Sequence, residues 1–237
     1  MTALSAPSET RWGLGDVAIG VVCSLVLSSL IGAVIMAAVG WQSSDEIPMW
    51  GLGILQIPLW AGYLGAVVYA GSKGGGVIGD FGARVRWSDV PVGLVVGVAA
   101  QVLLLPLLYA PIFELTGTDT DELSRPAEDL AARAGGSSSW LLFALLVGVI
   151  APVVEELFYR GLLLRSLEKR GLAPWIAVVA SATLFAAMHL QPLQFPGLLL
   201  FGLLSGALAV RTGRLGPSVF AHIGFNMTTV VVLYLGR

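Results

Sequence analysis

The chain has 237 residues, of which 56% are hydrophobic and 12% charged, and its mean hydropathy is +0.85. Soluble domains carry about 25% charged residues, so this composition excludes a soluble fold and implies an integral membrane protein. A net charge of −2 argues against nucleic acid as a partner. The single cysteine, Cys23, excludes an intramolecular disulfide and a multi-cysteine metal site.

A spanning helix needs about 20 mostly apolar residues. That criterion predicts an all-α, polytopic transmembrane helical bundle of about seven spans, with eight as the upper count. The spans fall at 16–40, 49–71, 90–113, 140–163, 173–190, 195–211 and 216–235. The first apolar run, 17–39, exceeds the roughly 7–15 residues of a signal-peptide core. It is expected to span the membrane and to act as an uncleaved signal. Pro58, Pro106 and Pro152 sit inside spans, where neighbouring helices can satisfy the backbone groups they free. Glycines four apart, Gly93/Gly97 and Gly202/Gly206, permit close helix packing.

Between the third and fourth spans lies a long loop, 114–138, with six acids: Glu114, Asp119, Asp121, Glu122, Glu128 and Asp129. It is expected to be a solvated external connector with a short helix near 127–133; a lid or a partner site is the other reading. The basic residues set the orientation. Arg11, Lys73, Arg84, Arg86, Arg160, Arg165, Lys169, Arg170, Arg211 and Arg214 fall on one side of the alternation, and Arg125, Arg133 and Arg237 on the other. Positive residues favour the cytoplasmic side. The N-terminus is therefore expected in the cytoplasm and the C-terminus outside. The richness in Gly, Ala, Val and Leu suggests a bacterial plasma membrane.

Against this apolar background, the ionisable residues inside spans mark the candidate site, because each costs about 2.5–3.5 kcal/mol to insert. Glu155 and Glu156 follow the apolar run 140–154. Glu156 and Arg160 are four apart and share a helix face, so they can pair. Glu155 points about 100° away and has no local basic partner, which leaves it free for chemistry. Both histidines of the chain are also in apolar stretches. His189 shares a face with Phe185, and His222 with Asn226, each pair at i, i+4. Such a set suits two devices. Glu155, His189 and His222 could ligate one divalent metal such as zinc, with an open water position. Alternatively, Glu155 could act as general base for a water while the histidines and Asn226 polarise a carbonyl. Either device hydrolyses an amide or ester. No H-E-x-x-H, G-x-S-x-G or Walker A motif is present.

Taken in order, Glu155-Glu156-x-x-x-Arg160, Phe185-x-x-x-His189 and His222-x-x-x-Asn226 resemble the three motifs of the CAAX protease and bacteriocin-processing (CPBP, or Abi) family of intramembrane endopeptidases. The similarity covers 140–235, so 140–237 is expected to be the catalytic core. Residues 1–139 would supply the N-terminal helices and the acidic loop. The resemblance implies that Glu155 activates the catalytic water, that His189 and His222 are catalytic, and that Asn226 stabilises the oxyanion. Glu156, Arg160 and Phe185 would support them. The family has been described both as metal-dependent and as metal-free.

The expected function is hydrolysis of a membrane-tethered, hydrophobic or lipidated peptide, with membrane lipid as the surroundings. The alternative is a non-catalytic scaffold or bacteriocin-immunity-type protein that binds another membrane protein. A proton-coupled transporter is less attractive, since no internal repeat is seen. One geometric condition attaches to the single-site reading. At about 1.5 Å per residue, Glu155 and His222 lie toward the basic side, whereas His189 lies toward the other. The three can meet if the fourth helix continues to about Arg170 and the fifth starts in the cytosol. The site would then open to the cytoplasm.

Overall fold

The computed structural model describes residues 11–117 and 120–236. Asp119 and Arg237, used above for loop charge and orientation, lie outside the described residues. Among those described, the regular structure is helical with no strand: α1 (Leu14–Val39), α2 (Met49–Ser72), α3 (Gly76–Asp80), α4 (Asp89–Thr116), α5 (Thr120–Ala131), α6 (Ser137–Lys169), α7 (Pro174–Met188), α8 (Phe195–Thr212) and α9 (Gly216–Leu235). Six of these helices are long and apolar enough to cross a membrane. The seventh expected span, at 173–190, is α7. It has 15 residues, and at about 1.5 Å per residue falls short of a hydrocarbon core about 30 Å thick.

Alternation of the long helices gives the bundle two ends. One collects Arg11, Lys73, the loop 81–88, Lys169, Arg170 and Arg214, and is here called the basic end. The other carries the loops 40–48, 132–136 and 189–194, with α5, and is the loop end. Arg160 is the exception to the charge alternation, because it is fully buried in the bundle. The outer surface is apolar. On α1, Ile19, Val22, Leu30 and Val34 are more than half exposed, while Asp16, Val17, Gly20, Ser24 and Gly32 are buried. In water that face would be unstable; against lipid it costs nothing.

Glycines set the closest approaches. A Cβ on Gly93 would come within 2.7 Å of the Pro217 carbonyl, and one on Gly224 within 2.8 Å of that of Leu94. Thus α4 and α9 pack backbone to backbone. Gly202 meets Ala182 and Gly206 meets Val178 in the same way, joining α8 to α7. Both glycine pairs therefore pack as the sequence suggested.

Two of the in-helix prolines, Pro106 and Pro152, follow places where the helix widens, whereas Pro58 sits in regular α-helix. The π-helical segments Ala100–Leu104 and Leu146–Ile150 end just before Pro106 and Pro152. Proline has no N–H to give and its ring crowds the preceding turn, and a wide turn relieves both. A third π-helical segment, Glu156–Leu163, follows directly after Glu155. π-Bulges of this kind occur often at functional sites.

The main core fills the basic half of the bundle. Phe158, Tyr159, Leu162, Phe185, Phe201 and Ala221 are buried there. At the basic end, the Asp89 carboxylate receives Arg214 Nε and Nη2 at 2.9 and 2.6 Å and the Arg86 backbone N–H at 2.8 Å. Leu215 N–H also donates to the Gly82 carbonyl at 2.8 Å. These bonds fix the start of α9, one and a half turns before His222. The Asp89 carboxylate also pushes the Arg214 pKa further up.

Candidate active site

Glu156 is the structural centre of the polar cluster. It is fully buried and each of its oxygens is used. Oε1 lies 3.2 Å from Arg160 Nη1 and 2.9 Å from His222 Nδ1. Oε2 accepts from Ser205 Oγ at 2.6 Å. Arg160 reaches α8 as well, donating from Nη2 to the Gly202 carbonyl at 3.3 Å, and its guanidinium stacks 4.4 Å from the centre of the Phe185 ring. The expected Glu156–Arg160 pair is present, but Glu156 also ties α6 to α8 and α9 and orients His222.

His222 then faces Glu155. Its Nδ1 meets a carboxylate oxygen, which can only accept, so Nδ1 carries a hydrogen. The other nitrogen, Nε2, lies 3.7 Å from Glu155 Oε2. That is beyond a direct hydrogen bond and within reach of a shared water. Glu155 keeps 18% side-chain exposure where Glu156 has none. The adjacent acids thus differ as their helix faces require: one locked in the core, the other toward open space.

That space is a cavity of about 560 Å³. Glu155, His189, His222 and Asn226 all line it, together with Phe185, Trp60 and Gln56. His189 does not touch Glu155 directly. Its ring packs 4.7 Å from Phe185, and Phe185 in turn lies 5.7 Å from the His222 ring. His189 Nδ1 bonds to the Phe185 carbonyl at 2.8 Å, which leaves Nε2 as the free acceptor. Asn226 spends one amide hydrogen on the Val147 carbonyl at 2.8 Å. Val147 lies in the π-helical turn before Pro152. One amide hydrogen and the amide oxygen of Asn226 remain.

The direction of the cavity differs from expectation. From Glu155 it extends toward the loop end, past Met49, Phe143 and Val230. Toward the basic end the way is closed by buried Tyr63, Phe158 and Tyr159, with the two tyrosine hydroxyls bonded at 2.9 Å. A cavity opening at the basic end, the end expected to face the cytoplasm, is therefore not formed. The loop 114–138 is likewise not the solvated connector expected of it. Its helix α5 turns Leu123, Pro126, Ala127 and Leu130 onto the cavity and roofs it. Gln194 Nε2 holds the Leu123 carbonyl at 3.0 Å, and Arg133 Nη1 reaches the Ile47 carbonyl at 3.2 Å.

A metal fits this donor set poorly. Among the described residues, no three His, Cys, Asp or Glu side chains gather as ligands. Glu155 and His222 approach each other, but Phe185 stands between His222 and His189. Sequence reasoning also missed Ser205 and Phe201. Phe201 packs 4.7 Å from the His222 ring. Ser205 lies within the small-residue stripe of Gly202 and Gly206, where a hydroxyl in an apolar helix was the available signal.

Residues 137–228 match the family model described as type II CAAX prenyl endopeptidase Rce1-like. This segment spans α6 to α9 and contains every motif residue. The segment is therefore similar to Rce1-like endopeptidase domains. Among curated proteins, the chain is 26% identical over 255 residues to CAAX prenyl protease 2 of Arabidopsis thaliana, covering 97% of this chain and 72% of the relative. It is 28% identical over 146 residues to an uncharacterized 24.3 kDa protein of Escherichia coli. That match covers 59% of this chain and 64% of the relative, so the chain spans under two thirds of its length. No solved structure matches. The matched segment supplies α6 to α8 and α9 as far as Thr228, while Trp60, Gln56 and the α5 roof come from outside it.

Proposed function

We propose that the protein is an intramembrane endopeptidase that hydrolyses a hydrophobic or lipid-tethered peptide with a water activated by Glu155. The observation that carries this reading is one cavity lined by Glu155, His189, His222 and Asn226, with Glu156 buried behind them to hold His222 in one tautomer. The similarity of residues 137–228 to Rce1-like endopeptidases supports it. The apolar lining from Leu52, Leu55, Leu198 and Phe225 suits a hydrophobic side chain or lipid.

The chemistry needs no metal. A water held between Glu155 and His222 Nε2 gives its proton to the Glu155 carboxylate as its oxygen bonds to the scissile carbonyl carbon. The carbonyl oxygen becomes an oxyanion and accepts the remaining amide hydrogen of Asn226. The proton then passes from Glu155 through His222 to the peptide nitrogen, and the carbon–nitrogen bond breaks. His189, on the loop side of Phe185, meets the substrate through Nε2. Under the positive-inside orientation the basic end faces the cytoplasm, and substrate reaches Glu155 from the opposite side beneath α5.

The test is cleavage of a tethered or prenylated peptide by the purified protein in detergent or liposomes. The Glu155→Gln variant should fold and bind the peptide but not cut it. Cleavage by that variant at the parent's rate would sink the mechanism.

A further inference from the structure

A second cavity, of about 410 Å³, lies at the basic end, far from Glu155. It is bounded by the N-terminal turn of α1, the end of α2 and the end of α6. We propose that it binds the phosphate headgroup of an anionic phospholipid.

Four cations line it, Arg11, Lys73, Lys169 and Arg170, against a single acid, Asp16. Asp16 is spoken for: it pairs with Lys73 and accepts the Gly13 N–H at 2.9 Å. Lys169 is anchored too, donating to the Trp12 carbonyl at 2.6 Å and lying over the Trp12 ring. Arg11 and Arg170 are exposed at the rim, so their guanidinium groups are available to a phosphate.

The second, independent observation is Ser166. It lines this cavity, is fully buried, and its hydroxyl has no hydrogen-bond partner. Thr212 and Thr228 satisfy themselves on the carbonyl four residues back; Ser24, the other buried helix hydroxyl without a partner, packs against Gly62 rather than on this cavity. A buried, unsatisfied hydroxyl is costly, and a headgroup oxygen would satisfy it.

Ile19 decides between a free anion and a lipid. It lines the same cavity and is 53% exposed on the apolar face of α1. The site therefore runs from cations at the water interface onto lipid-facing surface, which matches a headgroup joined to its acyl chains. Basic pockets between helices at the cytoplasmic side hold anionic lipids by this arrangement.

Native mass spectrometry on the full-length protein tests the site, with phosphatidylglycerol, phosphatidylcholine of the same acyl chains, and inorganic phosphate as probes. Phosphatidylglycerol should be retained over phosphatidylcholine. The double variant Arg11→Gln/Arg170→Gln should lose about 30-fold in that retention, from two basic contacts at the usual strength per residue. Ser166→Ala, a milder change that removes no charge, should lose about fivefold. Equal retention of the two lipids would overturn the proposal. So would lipid retention unchanged in both variants, or full displacement of the lipid by millimolar phosphate, which would mark a free-anion site. Melting temperatures measured alongside distinguish lost binding from lost fold. Peptide cleavage is not a readout of this site, so failure here leaves the proposed activity standing and the converse also holds.

Discussion

The two adjacent acids should respond to the same substitution in opposite ways. Glu156→Gln removes the charge that faces Arg160 at 3.2 Å and His222 at 2.9 Å, inside a cluster with no solvent exposure. Breaking a buried ion pair by removing one partner costs about 3–5 kcal/mol, because the surviving charge stays buried. The amide also presents two hydrogens on one side where the carboxylate accepted on both, so either His222 or Ser205 loses its acceptor. Glu155→Gln meets none of these costs. Its side chain borders the cavity and the nearest ionisable atom, His222 Nε2, is 3.7 Å away, beyond a direct bond, so stability should stay within about 1 kcal/mol of the parent. The activity pattern inverts. Removing a general base costs about 10²- to 10⁴-fold in rate, and that loss belongs to Glu155→Gln. Thermal unfolding followed by tryptophan fluorescence, paired with peptide cleavage at a temperature where both variants remain folded, reads both axes. A Glu156→Gln protein as stable as the parent would refute the reading of Glu156 as the buried keystone. A Glu155→Gln protein that unfolds early would show that the two acids form one structural unit.

Three further outcomes are expected. Asn226→Ala should lower the cleavage rate about 10²- to 10³-fold through the lost oxyanion donor; a change confined to stability would assign Asn226 to the Val147 bond alone. Chelation with EDTA should leave cleavage unchanged, since Glu155, His189 and His222 do not gather as ligands; loss restored by zinc would reject the metal-free chemistry. In a Cys23→Ser background, Glu128→Cys on the α5 roof should react with an impermeant maleimide on intact spheroplasts, and Arg86→Cys only after lysis. The reverse pattern would turn the cavity toward the cytoplasm.

The helices were legible in the sequence because lipid imposes a simple length rule. Runs of about 20 apolar residues reproduce α1, α2, α4, α6, α8 and α9 to within a few residues. Side chains that meet within one helix were legible too: Glu156 with Arg160, and Phe185 with His189, follow from i, i+4 spacing alone. Contacts between helices were not. Nothing in the spacing says that Ser205 on α8 completes the shell of Glu156 on α6, since a serine in an apolar helix more often bonds its own backbone. The roof was misread for a related reason. Residues 114–138 look solvated when their six acids are counted, but α5 segregates them from Leu123, Pro126, Ala127 and Leu130, and only a structure shows what that apolar face covers.

The depth of His189 shows how local chemistry resolves a conflict between helix lengths. Ser181 donates to the Tyr159 carbonyl at 2.9 Å, which sets α7 in register with α6. Four residues later Phe185 is level with Glu155, because both helices advance about 6 Å in that interval. His189 therefore sits about one further turn toward the loop end, capping a helix too short to cross the membrane. The fourth helix does continue to Lys169, as the single-site model required, yet the histidines still occupy two levels. Phe185 joins those levels, touching Arg160, His222 and His189 at once. Such a stacked arrangement suits a peptide threaded along the cavity better than a metal ion, which needs its ligands at one point. A substrate entering beneath α5 would pass His189 first and reach Glu155 and His222 a turn deeper, where the packed tyrosines end the cavity and place the scissile bond.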